Sequence, residues 1–229
     1  MKKYINILAT YDLKMKIGIN LSGVSYETHH RNRNFEESLD SFNKYIVEPL
    51  LNDNHNIKFY IYTYETIKTE EVKKSYQPLC KYKFIDEVTQ NILPNFTEQG
   101  HNLYNGLLDM VDEDLDIVIR ARFDQKFNYN PLTYYKWDFN KAVFLWREPL
   151  RTDLPLLNDT FFTFPYYMLN DVIQSIYDLE VNPAHGVKYS LHNMYIPLTN
   201  RVGTENVMWV DNEFRTKEMN NLYTLTRRD

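Results

Sequence analysis

The stretch that decides the fold begins with the apolar run IGINL at residues 17–21, which ends at polar Ser22 and at Gly23. Such a short apolar run before turn residues predicts a buried strand. Apolar residues then recur at three- and four-residue steps through residues 35–50, which indicates an amphipathic helix. The run IKFYIYTY at residues 57–64 predicts a second strand. Strand, helix and strand in this order favour a right-handed βαβ unit with a parallel sheet.

Length and composition favour one α/β domain. The chain has 229 residues, of which 43% are hydrophobic and 25% are charged, and this is ordinary usage for a globular protein. The sequence contains no internal repeat, low-complexity tract or Gly/Ser linker. We therefore expect a single domain over residues 15–229, with residues 1–14 as an N-terminal extension outside it.

Charge and cysteine content restrict the partners and the compartment. The formal net charge of −5 argues against nonspecific binding of nucleic acid, which depends on clustered Lys and Arg. Cys80 is the single cysteine of the sequence and cannot pair within the chain. No apolar run is long enough to cross a bilayer, and no signal-peptide pattern is present. These features predict a cytoplasmic protein without a membrane span.

Polar residues follow each predicted strand. A helical pattern at residues 102–111 leads into a third predicted strand, LDIVI at residues 115–119, which runs directly into the charged sequence RARFD. In open α/β sheets, ligands bind outside the carboxyl ends of the strands, where the strand order reverses. The three strand ends are therefore candidate binding positions, namely Ser22 with Gly23, Thr63 to Glu65, and Arg122 to Asp124.

The charged residues of the third strand end allow two interpretations. Asp124 is a candidate ligand for Mg²⁺ or Mn²⁺, because such an ion often neutralises a nucleotide diphosphate with the help of few carboxylates. Arg120 and Arg122 lie two residues apart, so in a strand both point to the same side and could clamp a phosphate. Either arginine could equally pair with Asp116 or Asp124 in a structural ion pair. The acidic residues 112–114 precede the strand and are interpreted as a solvated turn.

Several enzyme classes lack their motifs in this sequence. There is no P-loop, no dinucleotide fingerprint G-x-G-x-x-G and no G-x-S-x-G nucleophile elbow. His185 and His192, like the pair His29 and His30, lack the spacing of a compact zinc site. The motifs therefore give no support to phosphoryl transfer, hydride transfer, serine hydrolysis or zinc chemistry.

Short segments of the sequence, taken in order, resemble a group of GT-A-type glycosyltransferases found in bacteria and large DNA viruses. In this group a hydrophobic strand followed by R-x-R-x-D occupies the place of the DxD metal motif. The similarity runs from residue 15 to residue 200. The segments are INLSG at 19–23, EPL at 48–50, FYIYTY at 59–64, DIVIRARFD at 116–124 and NDTFF at 158–162.

The resemblance implies a GT-A-like α/β/α sandwich with a mostly parallel central sheet. It implies metal-dependent transfer of a hexose or deoxyhexose from a UDP-sugar to a hydroxyl of a glycan or glycoprotein. Arg122 would contact the diphosphate, Asp124 would bind Mn²⁺ or Mg²⁺, and Asp159 would be the general base if the reaction inverts. Because Arg122 stands where DxD has its first aspartate, only Asp124 carries over as a metal ligand. The residues implied for the nucleoside are Ser22, Gly23, Thr63 and Tyr64.

Two other functions stay open at this point. A sugar-phosphate nucleotidyltransferase uses a similar sheet, but it normally has a Gly-rich first loop with a basic residue, which SGV at residues 22–24 hardly supplies. A non-catalytic glycan-binding or assembly module would hold glycan on aromatic rings, with Asp124 only stabilising a turn. A large-virus origin, such as a chlorovirus enzyme that glycosylates capsid protein, would place the chain in the host cytoplasm.

Overall fold

The structure is a computed structural model that describes residues 14–28, 33–86, 92, 96–135, 137–145, 157–181, 191–210 and 222–226. Its strands are β1 (Lys16–Ser22), β2 (Asn56–Tyr64), β3 (Leu79–Ile85), β4 (Ile117–Ala121), β5 (Gln125–Phe127), β6 (Ala142–Phe144), β7 (Phe162–Pro165), β8 (Val207–Trp209) and β9 (Tyr223–Leu225). Its helices are α1 (Glu36–Phe42), α2 (Glu48–Asn52), α3 (Thr69–Ser75), α4 (Glu98–Leu108), α5 (Pro131–Tyr134), α6 (Leu169–Val181) and α7 (Tyr195–Val202). A π-helical turn, Asn43–Val47, joins α1 to α2, and 3₁₀ turns lie at Tyr166–Met168, Leu191–Met194 and Thr204–Asn206.

One sheet of seven strands organises the described chain, in the order β3-β2-β1-β4-β7-β6-β8. Strand β7 runs antiparallel to its neighbours β4 and β6, and the other neighbouring strands are parallel. Strands β5 and β9 form a separate antiparallel pair. The prediction of an α/β fold with a mostly parallel central sheet is therefore confirmed.

The alternation of side chains along the strands divides the interior into two cores. Ile17, Ile19 and Leu21 of β1 belong to the core that contains apolar residues of α1 and α2. Val118 of β4 and Phe162 of β7 belong to the other core, together with apolar residues of α4, α6 and α7. Helices therefore pack on both faces of the sheet, which is compatible with an α/β/α sandwich.

The opening βαβ unit forms as the sequence predicts. Strands β1 and β2 are parallel neighbours, and the helical segment from α1 to α2 connects them. The side-chain oxygen of Asn34 accepts a hydrogen bond of 3.0 Å from the backbone N–H of Glu36, which satisfies one of the free donors at the start of α1. The predicted boundary after residue 14 is not tested, because residues 1–13 lie outside the described residues.

The third predicted strand lies two residues further along the chain than its apolar run suggests. Strand β4 spans Ile117–Ala121, because its pairing with β1 continues through Arg120, opposite Asn20, to Ala121. Arg120 is consequently inside the strand and is 1% exposed. No described helix is long and apolar enough to cross a membrane.

Candidate functional site

A cleft of about 210 Å³ opens at the point where the strand order reverses. From β1 the chain passes to β2 on one side, and it returns to β4 on the other side only after β3 and α4. Ser22 and Gly23 line the cleft from the end of β1, and Arg120, Arg122 and Asp124 line it from β4 and the residues that follow. This is where open α/β sheets bind their ligands.

Gly23 allows the backbone to turn away from the sheet at the edge of the cleft. Its φ of 111° lies in the region that favours glycine, and no atom lies within 4 Å of the place where a Cβ would stand. Its N–H donates to the carbonyl oxygen of Tyr62 at 3.1 Å, so the turn stays tied to β2. Glycine is therefore favoured at position 23 by the backbone conformation, and not because a side chain would clash with neighbouring atoms.

Arg120 is a buried cation with unused donors. Its Nη2 donates to the carbonyl oxygen of Ser22 at 3.1 Å. Its Nε and Nη1 are buried and have no hydrogen-bond partner among the described residues, and the same holds for the hydroxyl of Ser22. Burial, reinforced by the positive charge of Arg122, lowers the pKa of Arg120 to about 9. The guanidinium is still protonated at neutral pH, and it lines a cleft that could bring an anion to it.

Asp124 lies between two further arginines. Arg122 donates from Nε to Oδ1 and from Nη2 to Oδ2 of Asp124, both at 2.8 Å, which is a bidentate pair. The Nε of Arg33 lies 2.9 Å from Oδ2 of the same carboxylate. Burial acts to lower the pKa of Arg122, but the charge and hydrogen bonds of Asp124 outweigh it and raise the pKa. As predicted, Arg120 and Arg122 both face the cleft, and the ion pair that the sequence left open is present.

The residues around Asp124 do not fit a divalent cation in this arrangement. A carboxylate has about four lone-pair positions; two N–H groups of Arg122 donate to its two oxygens, and the cationic Nε of Arg33 lies 2.9 Å from Oδ2. In the described ranges, no three His, Cys, Asp or Glu side chains come together as a metal-binding group. The binding of Mn²⁺ or Mg²⁺ by Asp124 stays a prediction, and the donor set present around it is that of an anion site.

Helix α4 supplies the opposite wall of the cleft. Glu98, Gln99 and Asn102 line it from the first turns of α4, and Thr97 caps this helix by accepting the N–H of Gly100 at 3.0 Å. The pattern predicted a helix only from residue 102, so these residues were not anticipated as part of the site. The cap residue Thr97, followed by acidic Glu98, is the signal in the sequence that marks the true start of the helix.

Thr63 and Tyr64 are not among the residues that line the cleft. The hydroxyl of Thr63 is buried and donates to the hydroxyl of Ser25 at 3.0 Å. The hydroxyl of Tyr64 donates to the carboxylate of Glu98 and accepts from the amide of Asn102 at 2.9 Å. Tyr64 therefore holds two wall residues in place, and the structure does not bring these two predicted nucleoside contacts to the cleft surface.

Asp159 lies behind the cleft wall. It is 4% exposed, and the amide of Gln99 donates to its Oδ2 at 2.5 Å. The Nδ1 of His192 lies 3.7 Å from its Oδ1 and 2.7 Å from the carbonyl oxygen of Leu157. The carboxylate also acts electrostatically on both Arg120 and Arg122. Asp159 is thus close to the arginine cluster; it is bonded to the lining residue Gln99 but is not itself among the residues that line the cleft.

No protein-family model matches the chain, and no curated protein sequence matches it.

Proposed function

We propose that the chain is a glycosyltransferase that moves a hexose or deoxyhexose from a UDP-sugar to a hydroxyl of a glycan or glycoprotein. The observation that supports it most directly is buried Arg120, which has two guanidinium nitrogens, Nε and Nη1, without a hydrogen-bond partner among the described residues, at the reversal point of the sheet. The GT-A-like sandwich is part of the same proposal, since helices on both faces of a mostly parallel sheet are compatible with it.

The charges of the cleft favour an anionic group, such as the diphosphate of a nucleotide sugar. Three arginines and two carboxylates line it: Arg33, Arg120, Arg122, Glu98 and Asp124. Asp124 is engaged by its bidentate contact with Arg122, whereas buried Arg120 forms no ion pair among the described residues and is compensated only by the nearby charges of Asp159 and Asp124. Guanidinium groups match phosphate oxygens in geometry and stay protonated, which makes arginine the usual residue for such a ligand.

The reaction would use this positive charge in its transition state. The bond between the anomeric carbon and the β-phosphate oxygen breaks, and the acceptor hydroxyl oxygen forms the new bond to that carbon. The departing UDP gains negative charge at the phosphate, where fixed guanidinium groups would stabilise it. No step is assigned to a divalent cation, because the oxygens of Asp124 accept hydrogen bonds from Arg122 and form an ion pair with Arg33.

An acceptor hydroxyl must lose its proton during transfer. Asp159 remains the proposed base for an inverting reaction, with its carboxylate held by Gln99 near the arginine cluster. For Asp159 to reach a substrate, the side chain of Gln99 must move aside. Glu98 is the second candidate, since it lines the cleft directly.

A nucleotide screen tests the proposed function. UDP should raise the melting temperature, whereas GDP, CDP and dTDP should raise it less. At a ligand concentration 100 times the dissociation constant the stabilisation is about 2.7 kcal/mol, or about 5–10 °C for a chain of this size. Release of free sugar and UDP from a UDP-sugar would then establish turnover. UDP binding without release from any donor would indicate the non-catalytic module, and no shift with any of the four nucleotides would contradict the proposal.

A further inference from the structure

We infer that the cleft binds the diphosphate group through Arg33, Arg120 and Arg122 without requiring a divalent cation, and that Asp124 is a positioning residue for two of these arginines. The identity of the ligand as a nucleotide diphosphate rests on the proposed function. The anion site itself rests on two observations of different kinds, which are the bonding of Asp124 and the unpaired donors of Arg120.

The first observation is that Asp124 is fully engaged with arginine. Its side chain is 3% exposed, both oxygens accept from Arg122 at 2.8 Å, and the Nε of Arg33 forms an ion pair with Oδ2 at 2.9 Å. Its carbonyl oxygen accepts the N–H of Thr226 at 2.8 Å, so the backbone is tied to the segment of β9 as well. A cation at Asp124 would compete with both guanidinium groups for the carboxylate oxygens and would lie beside two positive charges. The carboxylate instead fixes the direction of Arg33 and Arg122 at the cleft.

The second observation is that Arg120 has donors with no acceptor among the described residues. A buried N–H without an acceptor is costly, and such groups are rare in folded proteins unless a ligand or water satisfies them. The Nε and Nη1 of Arg120 and the hydroxyl of Ser22 are three such atoms on two adjacent strands, and both residues line the cleft. A phosphate in the cleft would offset the charge of the guanidinium, and a shift of the buried side chains toward the cleft would let its oxygens accept hydrogen bonds from these atoms.

Titration calorimetry of inorganic pyrophosphate into the full chain in EDTA tests the inference, with UDP titrated in EDTA and in MnCl₂. We expect saturable pyrophosphate binding in EDTA, and a UDP affinity that changes less than threefold between the two buffers. Arg122→Ala should weaken pyrophosphate binding at least tenfold. Arg201→Ala is the matched control, because Arg201 pairs with Asp178 away from the cleft, and it should leave the affinity within twofold.

Asp124→Asn separates the positioning role from a metal role and from a merely structural role. A positioning residue predicts a loss of pyrophosphate affinity of about the same factor in EDTA and in MnCl₂. A metal ligand predicts a loss confined to MnCl₂, and a structural role predicts a lower melting temperature with unchanged affinity. Either of these results would overturn the inference for Asp124.

The wild-type titrations also distinguish a failure of this inference from a failure of the proposed function. UDP binding that appears only with Mn²⁺, or no pyrophosphate binding in EDTA, would overturn the inference without contradicting a glycosyltransferase. Pyrophosphate binding in EDTA without binding of UDP in either buffer would support the anion site and contradict the proposed nucleotide-sugar function. Because the wild-type titrations need no variant, misfolding of a variant does not prevent a decision.

Discussion

Replacement of Arg120 by methionine should stabilise the protein and abolish anion binding at the same time. The lowering of the Arg120 pKa to about 9 corresponds to ~5 kcal/mol against the charged form in the fold. Methionine removes that cost together with the two unpaired N–H groups. It also removes the charged hydrogen bond to Ser22, which contributes about 1.5–3 kcal/mol. We therefore expect a net gain of at least about 2 kcal/mol.

Chemical unfolding followed by circular dichroism measures the gain, and a rise of about 4–8 °C in melting temperature should accompany it. The same Arg120→Met protein should show at least a hundredfold weaker binding of pyrophosphate in calorimetry. Arg201→Met is the matched control. Arg201 forms an ion pair that is one-third exposed, so its replacement should change stability by less than about 1 kcal/mol and leave pyrophosphate binding unchanged.

Because Arg120→Met is expected to raise stability while it abolishes anion binding, the two measurements together distinguish a binding role of Arg120 from a structural one. A structural role for Arg120, such as holding the end of β1 through Ser22, predicts destabilisation without a change in anion affinity. If Arg120→Met loses more than ~1 kcal/mol of stability and still binds pyrophosphate as the wild type does, the unpaired donors of Arg120 do not serve to bind an anion.

Three further predictions concern residues around the cleft. Asp159→Asn should lower transfer about a hundredfold, with UDP affinity within threefold by calorimetry. Gly106→Ala should destabilise by about 1–3 kcal/mol in urea unfolding, because a Cβ would lie 2.9 Å from the amide of Asn20. Burial raises the pKa of Glu180 although Thr97 donates to it, so its charged form is disfavoured in the fold. The wild type should therefore lose stability, relative to Glu180→Gln, as the pH rises from about 4.5, the ordinary pKa, through the raised pKa of the folded state. Unfolding curves of both proteins between pH 4 and 8 measure this difference.

Local sequence patterns are enough to predict the strands and the helix that position the cleft. The apolar run at residues 17–21, the helical repeat and the run at 57–64 each lie within one element, so short-range periodicity identifies them. The shared direction of Arg120 and Arg122 follows from the twofold alternation of a strand. Together these two rules place Ser22, Gly23 and the arginines at one edge of the sheet.

Other parts of the fold depend on contacts that no local pattern shows. Strand β3 has four exposed residues in succession, so it lacks the apolar alternation that would have predicted it. The pairing of Arg33 with Asp124 joins residues that are distant in sequence, and the position of Tyr64 behind Glu98 depends on how α4 packs. The sequence favours a metal at Asp124 because it shows the carboxylate and does not show that Arg33 reaches it.

One face of β1 and β4 carries buried apolar residues, and the opposite face carries buried polar residues. Ile17, Ile19 and Leu21 of β1 are apolar and buried, as the fold requires. On the opposite face, Asn20, Ser22 and Arg120 are also buried, yet each has side-chain atoms without a hydrogen-bond partner among the described residues.

Packing alone would favour apolar side chains at these three positions, because α4 covers this face closely enough for Gly106 to approach Asn20. Departures from local rules of this kind concentrate at functional sites, where a ligand compensates the cost. Arg120 and Ser22 also belong to strands and not to loops, so the proposed anion contacts would have a rigid frame. In the proposed enzyme, variation in the surrounding loops would therefore change the acceptor without changing the part of the cleft that is proposed to bind phosphate.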